Sequence, residues 1–280
     1  MPSELSTQFS PQEVRKKLPF TKKPVLALAL GSGATRGFAH VGVLNGLYEN
    51  GIVPDLIVGT SAGSVTGALF AGGIRGQKLE DIANQLQRDQ IADWSYTGRG
   101  VIRGELLQSF VNDLLKKRPI EALEIPFAAT ATELHTGKLV VFTRGDAGLA
   151  VRTSSSIPGL VTPVTINGRD YVDGGVVSTI PVIVAKQLGA DIVIAVDVSR
   201  PIEEPAPVDS TLDVIQQSFN IMHQRISKAD LEEAELIIRP KLGDLSFGDF
   251  NQKQDLIEAG KDAARNVLPE IKRLLGKEPS

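Results

Sequence analysis

At 280 residues, 42% hydrophobic and 22% charged, the chain has the composition of a globular protein long enough to bury a substantial core. Its net charge of -3 gives no global basis for binding nucleic acid, which clustered basic charge drives, so no nucleic-acid partner is expected. The absence of cysteine excludes disulfides, thiolate catalysis and cysteine-ligated metal, and the three histidines, His40, His135 and His223, are too scattered for an HExxH-like zinc pair.

The first twenty residues lack the apolar core of a signal peptide, and no stretch reaches the roughly 18 apolar residues that suggest a membrane span, so a cytoplasmic protein is expected. Residues 14–23, VRKKLPFTKK, carry five basic side chains and no acidic one. Such a run suits either a solvated arm or peripheral contact with an anionic inner membrane surface. Residues 1–23 are read as this basic extension and 24–276 as one domain, because no Gly/Ser-rich or Pro-rich linker divides the middle of the chain.

Within the domain, short apolar runs alternate with amphipathic segments, which predicts a mostly parallel sheet covered on both faces. VLALAL at 25–30 reads as a buried strand, followed by a Gly-rich turn and a helix through residue 50. DLIVG at 55–59 is the next strand, and AGSVTGALFAGG a helix of small residues able to pack close to it. Helical patterns at 77–90 and 104–117 flank an irregular stretch with Trp94 and Tyr96, a candidate cap. Strands follow at 125–134 and 138–143, joined by a turn at His135 to Gly137, and Asn167-Gly168 marks a hairpin. A buried strand at 191–199, a Pro-rich connection at 200–209, a helix near 211–229, a strand at 234–240 and a final helix near 251–275 complete the pattern.

Chemistry concentrates at two strand-to-helix turns. Gly59-Thr60-Ser61-Ala62-Gly63 fits G-x-S-x-G in the setting a nucleophile elbow requires, where glycines relieve a strained turn and the serine projects over the N-terminus of a helix. The same five residues also suit an ordinary tight turn. LGSGATRG at 30–37 offers backbone amides of Gly33, Ala34 and neighbours as an oxyanion hole; the competing dinucleotide fingerprint would need glycine where Arg36 stands and an acid at the end of the next strand. Arg36 suits either a loop brace or a phosphate contact. None of the histidines is convincing as a base: His40 sits just inside a helix, His135 in a turn, and His223 in an amphipathic helix. Asp173, before Gly174 and Gly175, reads in isolation as a turn or as an acid placed for close backbone approach.

Taken together, LGSGATRGFAHVGVL, GTSAG and DGG, in this order, resemble the signature of bacterial patatin-like phospholipases, and VRTSSSIPGLVTPV and AELIIRPKLGDLSFGDF extend the likeness over roughly 24–275. The resemblance implies a three-layer α/β/α patatin-like fold with a mostly parallel central sheet, and a carboxylic ester hydrolase acting on lipids with neither metal nor cofactor. It implies Ser61 as nucleophile, Asp173 as its activating partner, and Gly31, Gly33, Ala34, Arg36 and Gly37 as the oxyanion and substrate loop. Gly59 and Gly63 then support the elbow, and Gly174 and Gly175 the dyad. Where many members have an unbroken glycine run this chain has Ser32 and Ala34, which keep a backbone donor. The stretch near 77–120 and the loop RTSSSIPGL are expected to border an acyl channel, with no role assigned to Ser154, Ser155 and Ser156. A non-catalytic module on the same fold and an acyltransferase remain the alternatives.

Overall fold

Alternation of large and small side chains decides how the first strand divides the molecule. In β1 (Leu26–Leu30, LALAL) the three leucines join one core and Ala27 and Ala29 the other. Successive residues of a strand face opposite sides of a sheet, so this sequence builds a thick layer on one face and a thin one on the other. The computed structural model describes residues 23–95, 98–199, 208–209, 211–243 and 250–276, with side chains at 211–213 and 216 excepted. The basic run before Lys23, Tyr96, most of the Pro-rich connection and residues 244–249 lie outside the described residues.

Five strands form the parallel centre: β1, β2 (Leu56–Thr60), β3 (Phe127–Glu133), β7 (Ile192–Val196) and β8 (Leu236–Ile238), in the order β3-β2-β1-β7-β8. Beyond β3 the sheet turns antiparallel, through β4 (Leu139–Phe142) and the hairpin β5 (Val164–Ile166) to β6 (Arg169–Asp173). The thick layer contains α1 (Phe38–Glu49), α2 (Ala62–Ala71), α3 (Gln77–Gln85), α4 (Glu105–Leu114), α5 (Ala147–Ser154) and α8 (Lys253–Leu274). The thin one contains α6 (Val182–Gln187) and the C-terminal end of α7 (Thr211–Glu232). The arrangement is the expected three-layer α/β/α fold with a mostly parallel sheet.

Several boundaries differ from the sequence reading for identifiable reasons. The first helix of the cap region ends at Gln85 rather than 90, where the Lys253 ammonium of α8 donates to the carbonyls of Asn84 and Leu86 at 2.6 and 2.7 Å and satisfies the chain end. Residues 152–154, expected in a loop, are the last turn of α5, whose N-cap Asp146 accepts from Leu149 N–H at 2.8 Å. Helix α6 lies where no element was expected. Among the described residues no helix is long and apolar enough to cross a membrane.

Candidate active site

Register on β3 places the two ends that matter. Ala129 and Thr130 pair with both β2 and β4, and Ala131 and Thr132 with both β4 and β6, so β2 and β6 share the edge of β3 opposite β4. They approach from opposite directions: Thr60 ends β2 opposite Thr130, and Asp173 ends β6 opposite Ala131. The chain therefore leaves both strands at one point, and the side chains that follow meet there. Thr60 and Thr130 hydroxyls bond across the junction at 2.6 Å, and Thr132 donates to the Asp173 carbonyl at 2.9 Å.

Ser61 occupies the turn with φ 53° and ψ -122°, a conformation unfavourable for a residue with a Cβ. The surroundings hold it there. Its amide donates to Ser154 Oγ at 2.9 Å, and its carbonyl accepts the amides of Ser64 at 2.8 Å and Val65 at 3.2 Å, opening α2. A Cβ on Gly59 would lie 2.6 Å from Gly63 and Ser64 backbone atoms, and one on Gly63 would overlap the Leu30 carbonyl, so the elbow closes only with glycine at both positions. The Ser61 hydroxyl lies in reach of the Asp173 carboxylate and favours its charged form, and the Gly175 amide donates to Asp173 Oδ1 at 2.7 Å. Burial pushes the Asp173 carboxyl up to about 6, against the Ser61 hydroxyl and the Gly175 amide, which favour its charged form. Gly174 packs on Thr130, leaving no room for a side chain.

The Gly-rich loop borders the same point. Gly31 N–H is committed to the Val196 carbonyl at 3.1 Å, Ser32 N–H to Thr179 at 2.9 Å and Arg36 N–H to Gly33 at 3.0 Å. Gly33, Ala34 and Thr35 open a helical turn, where amides lack intrahelical partners, and line the cleft with Ser61. The first amide of α2, at Ala62, is likewise without an intrahelical acceptor. Ala34 takes a left-handed φ of 49°, which re-aims the loop. Gly37 lies against Ala62, fixing the distance between loop and elbow, and Arg36 is buried with polar interactions of its own.

The family model described as patatin-like phospholipase matches residues 28–186, more than half of the chain and both Ser61 and Asp173. The chain belongs to the patatin-like phospholipase family. It is 37% identical over 188 residues to an uncharacterized NTE family protein of Mycobacterium tuberculosis, covering 66% of this chain and 52% of that one. It is 36% identical over 181 residues to patatin-like phospholipase domain-containing protein 7 of Rattus norvegicus, covering 62% of this chain and 13% of that one. The chain thus spans about half, or much less, of the length of these relatives. Among solved structures, VipD from Legionella pneumophila superposes with a TM-score of 0.61 at 13% identity, covering 89% of this chain and 67% of that one, which shows a shared fold.

Two clefts of this patatin-like domain meet at Ser61. The first, about 240 Å³, is walled by apolar side chains of α1 to α4, among them Val65, Leu69, Ile82, Leu107 and Phe110. Arg88, Ile91 and Ile102 from the irregular stretch border it, with Trp94 exposed nearby beneath the Arg88 guanidinium. The second, about 130 Å³, contains Asp173, Arg36, Asn220 and His223. The histidines separate cleanly. His40 is fully buried, donates from Nε2 to the Gly31 carbonyl at 2.8 Å and is held neutral, its pKa lowered to about 4 by burial. His135 is exposed in its turn, 3.9 Å from Asp170. His223 lines the second cleft.

Sequence reasoning gave no site role to Ser154, to the Ala62 amide or to His223, all of which the structure brings to Ser61 or to the clefts beside it. A signal for the last was present, since Ile215, Phe219 and His223 recur every fourth residue on one helix face.

Proposed function

We propose that the protein is a lipolytic serine acyl hydrolase that cleaves carboxylic esters of phospholipids, lysophospholipids or related lipids. The reading rests on one observation above all: a buried Ser61 in reach of a buried Asp173 carboxylate at the head of a cleft with apolar walls. A serine hydroxyl is a poor nucleophile until a base takes its proton, and a carboxylate with a pKa near 6 is a better base than an ordinary one while remaining ionised at neutral pH.

In this mechanism the Asp173 carboxylate accepts the Ser61 proton as Oγ attacks the ester carbonyl. The carbonyl electrons move onto oxygen, which the amides of Gly33, Ala34, Thr35 and Ala62 are candidates to receive; each well-aimed donor is worth about 3 kcal/mol. Collapse expels the alcohol, which takes the proton from Asp173, and leaves the acyl group on Ser61. Water, deprotonated by the same carboxylate, then attacks the acyl-enzyme and releases the fatty acid. Peripheral contact with an anionic bilayer belongs to the same reading, with the basic run at 14–23 as its candidate.

A hydrolysis assay over a panel of phospholipids, lysophospholipids and neutral glycerides tests this, with Ser61→Ala as blank. Fatty acid should appear only with the parent protein. Equal release by both would remove the proposal, and turnover by neither would favour a non-catalytic module on this fold.

A further inference from the structure

An ester held with its carbonyl at Ser61 has two arms, and the structure offers two clefts of different size and chemistry. The larger has walls suited to an acyl chain. The smaller is bordered on one helix face by Ile215 and Phe219, one turn apart, and then by Asn220 and His223. Among the described residues the His223 imidazole makes no hydrogen bond, although it is half-buried and burial lowers its pKa to about 4, leaving it neutral with one donor and one acceptor nitrogen. Among the described residues the Asn220 side chain has a long contact of 3.5 Å, from its amide nitrogen to Gln217. Both side chains border the cleft with hydrogen-bonding capacity that a ligand there can take up in place of water.

Gly175 lies between His223 and Asp173. The point a Cβ of Gly175 would occupy lies 3.1 Å from His223 Nε2 and 3.1 Å from Asp173 Oδ1. The two atoms are therefore separated by no more than twice that distance, which puts the imidazole beside Asp173. On the reading above Asp173 is the base for Ser61, which leaves the imidazole available to the substrate.

We propose that the smaller cleft is the leaving-group site and takes a hydroxylated alcohol of the glycerol type, hydrogen-bonded by His223 and Asn220, so that the preferred substrates are esters carrying a free hydroxyl beside the scissile bond. This rests on the hydrolase reading above and extends it from the acyl side to the alcohol side. Microscopic reversibility makes the same site the one where an acceptor alcohol would bind.

The test uses two esters of one acyl chain, glycerol monodecanoate and 4-nitrophenyl decanoate, the second having no hydroxyl for His223 to meet. With His223→Phe, kcat/KM should fall about tenfold on the glycerol ester, the factor a neutral hydrogen bond is worth, and less than about twofold on the aryl ester. His223→Gln, which keeps a donor and an acceptor, should recover most of the loss, and Asn220→Ala, on the same helix face, should reproduce the selective loss more weakly. A parent protein that turns over both esters while these variants lower both equally, or neither, overturns the leaving-group site alone. A parent that turns over neither ester overturns the hydrolase reading and this inference with it.

Discussion

Replacing Asp173 by asparagine separates what the carboxylate does for chemistry from what it does to stability. Burial raises its pKa from an ordinary 3.8 to about 6 in the folded protein. Between those values the folded state holds a proton that the unfolded chain has released, so the contribution of this group to stability is greatest below 3.8 and is lost as pH rises through about 6. At 1.36 kcal/mol per pH unit, the ionised carboxylate destabilises the fold by about 3 kcal/mol at pH 8. Asparagine keeps an oxygen for the Gly175 amide but forfeits the charged acceptor of the Ser61 hydroxyl, so a net gain of about 1–3 kcal/mol is expected. For a protein of this size that raises Tm by several degrees at pH 8 and by nothing below pH 4. Ester turnover should fall by about 10²–10⁴-fold, the usual contribution of a general base. Thermal melts by circular dichroism from pH 4 to 8, run beside turnover of a short acyl ester, read both effects. Asp173→Asn that melts lower than the parent at pH 8, shows a difference independent of pH, or keeps full turnover would refute the reasoning.

Other expectations follow from the same geometry. In the parent protein kcat/KM should fall below about pH 6 as Asp173 takes up a proton, and a pH profile flat to pH 4.5 would contradict that base. Ser154→Ala leaves the buried Ser61 amide without its acceptor, which should lower stability by about 1–3 kcal/mol in denaturant titrations and reduce kcat more than it alters KM. His40 is neutral when folded with a pKa of about 4, below its ordinary 6.5, so its stabilising effect is full above 6.5 and is lost as pH falls towards 4. His40→Gln, which keeps a donor for the Gly31 carbonyl, should flatten that acid limb of the stability curve, seen by melts at pH 7 and pH 4.5. Gly59→Ala would press a methyl into the Gly63 and Ser64 backbone and should destabilise by more than about 3 kcal/mol, giving little folded protein on expression.

Local order was legible wherever one residue type dictates one conformation. The LALAL strand declares itself by apolar content, and Asn167-Gly168 by its turn chemistry, with φ of 51° and 75° at the two positions. The elbow at Ser61 was legible because two glycines flank a serine between a strand and a helix. What joins Ser61 to Asp173 was not legible in either stretch: it is the end-to-end meeting of β2 and β6 along β3, a register set by tertiary pairing. The resemblance supplied that pair before the geometry did. Helix α6 escaped because Val182, Ile183 and Val184 favour extended backbone, a local preference that packing against β1 and β2 overrides. His223 was read as an ordinary helix residue because nothing in its own segment reveals that α7 lines a cleft together with Ser61, Asp173 and the Gly-rich loop.

The central claim is that Ser61 is the atom that takes the acyl group, and intact-mass spectrometry after treatment with a fluorophosphonate, followed by peptide mapping, tests it most directly. The account calls for one adduct per chain, located on Ser61, absent from Ser61→Ala and formed much more slowly in Asp173→Asn. An unlabelled parent protein, or an adduct of equal yield on Ser61→Ala, would contradict it.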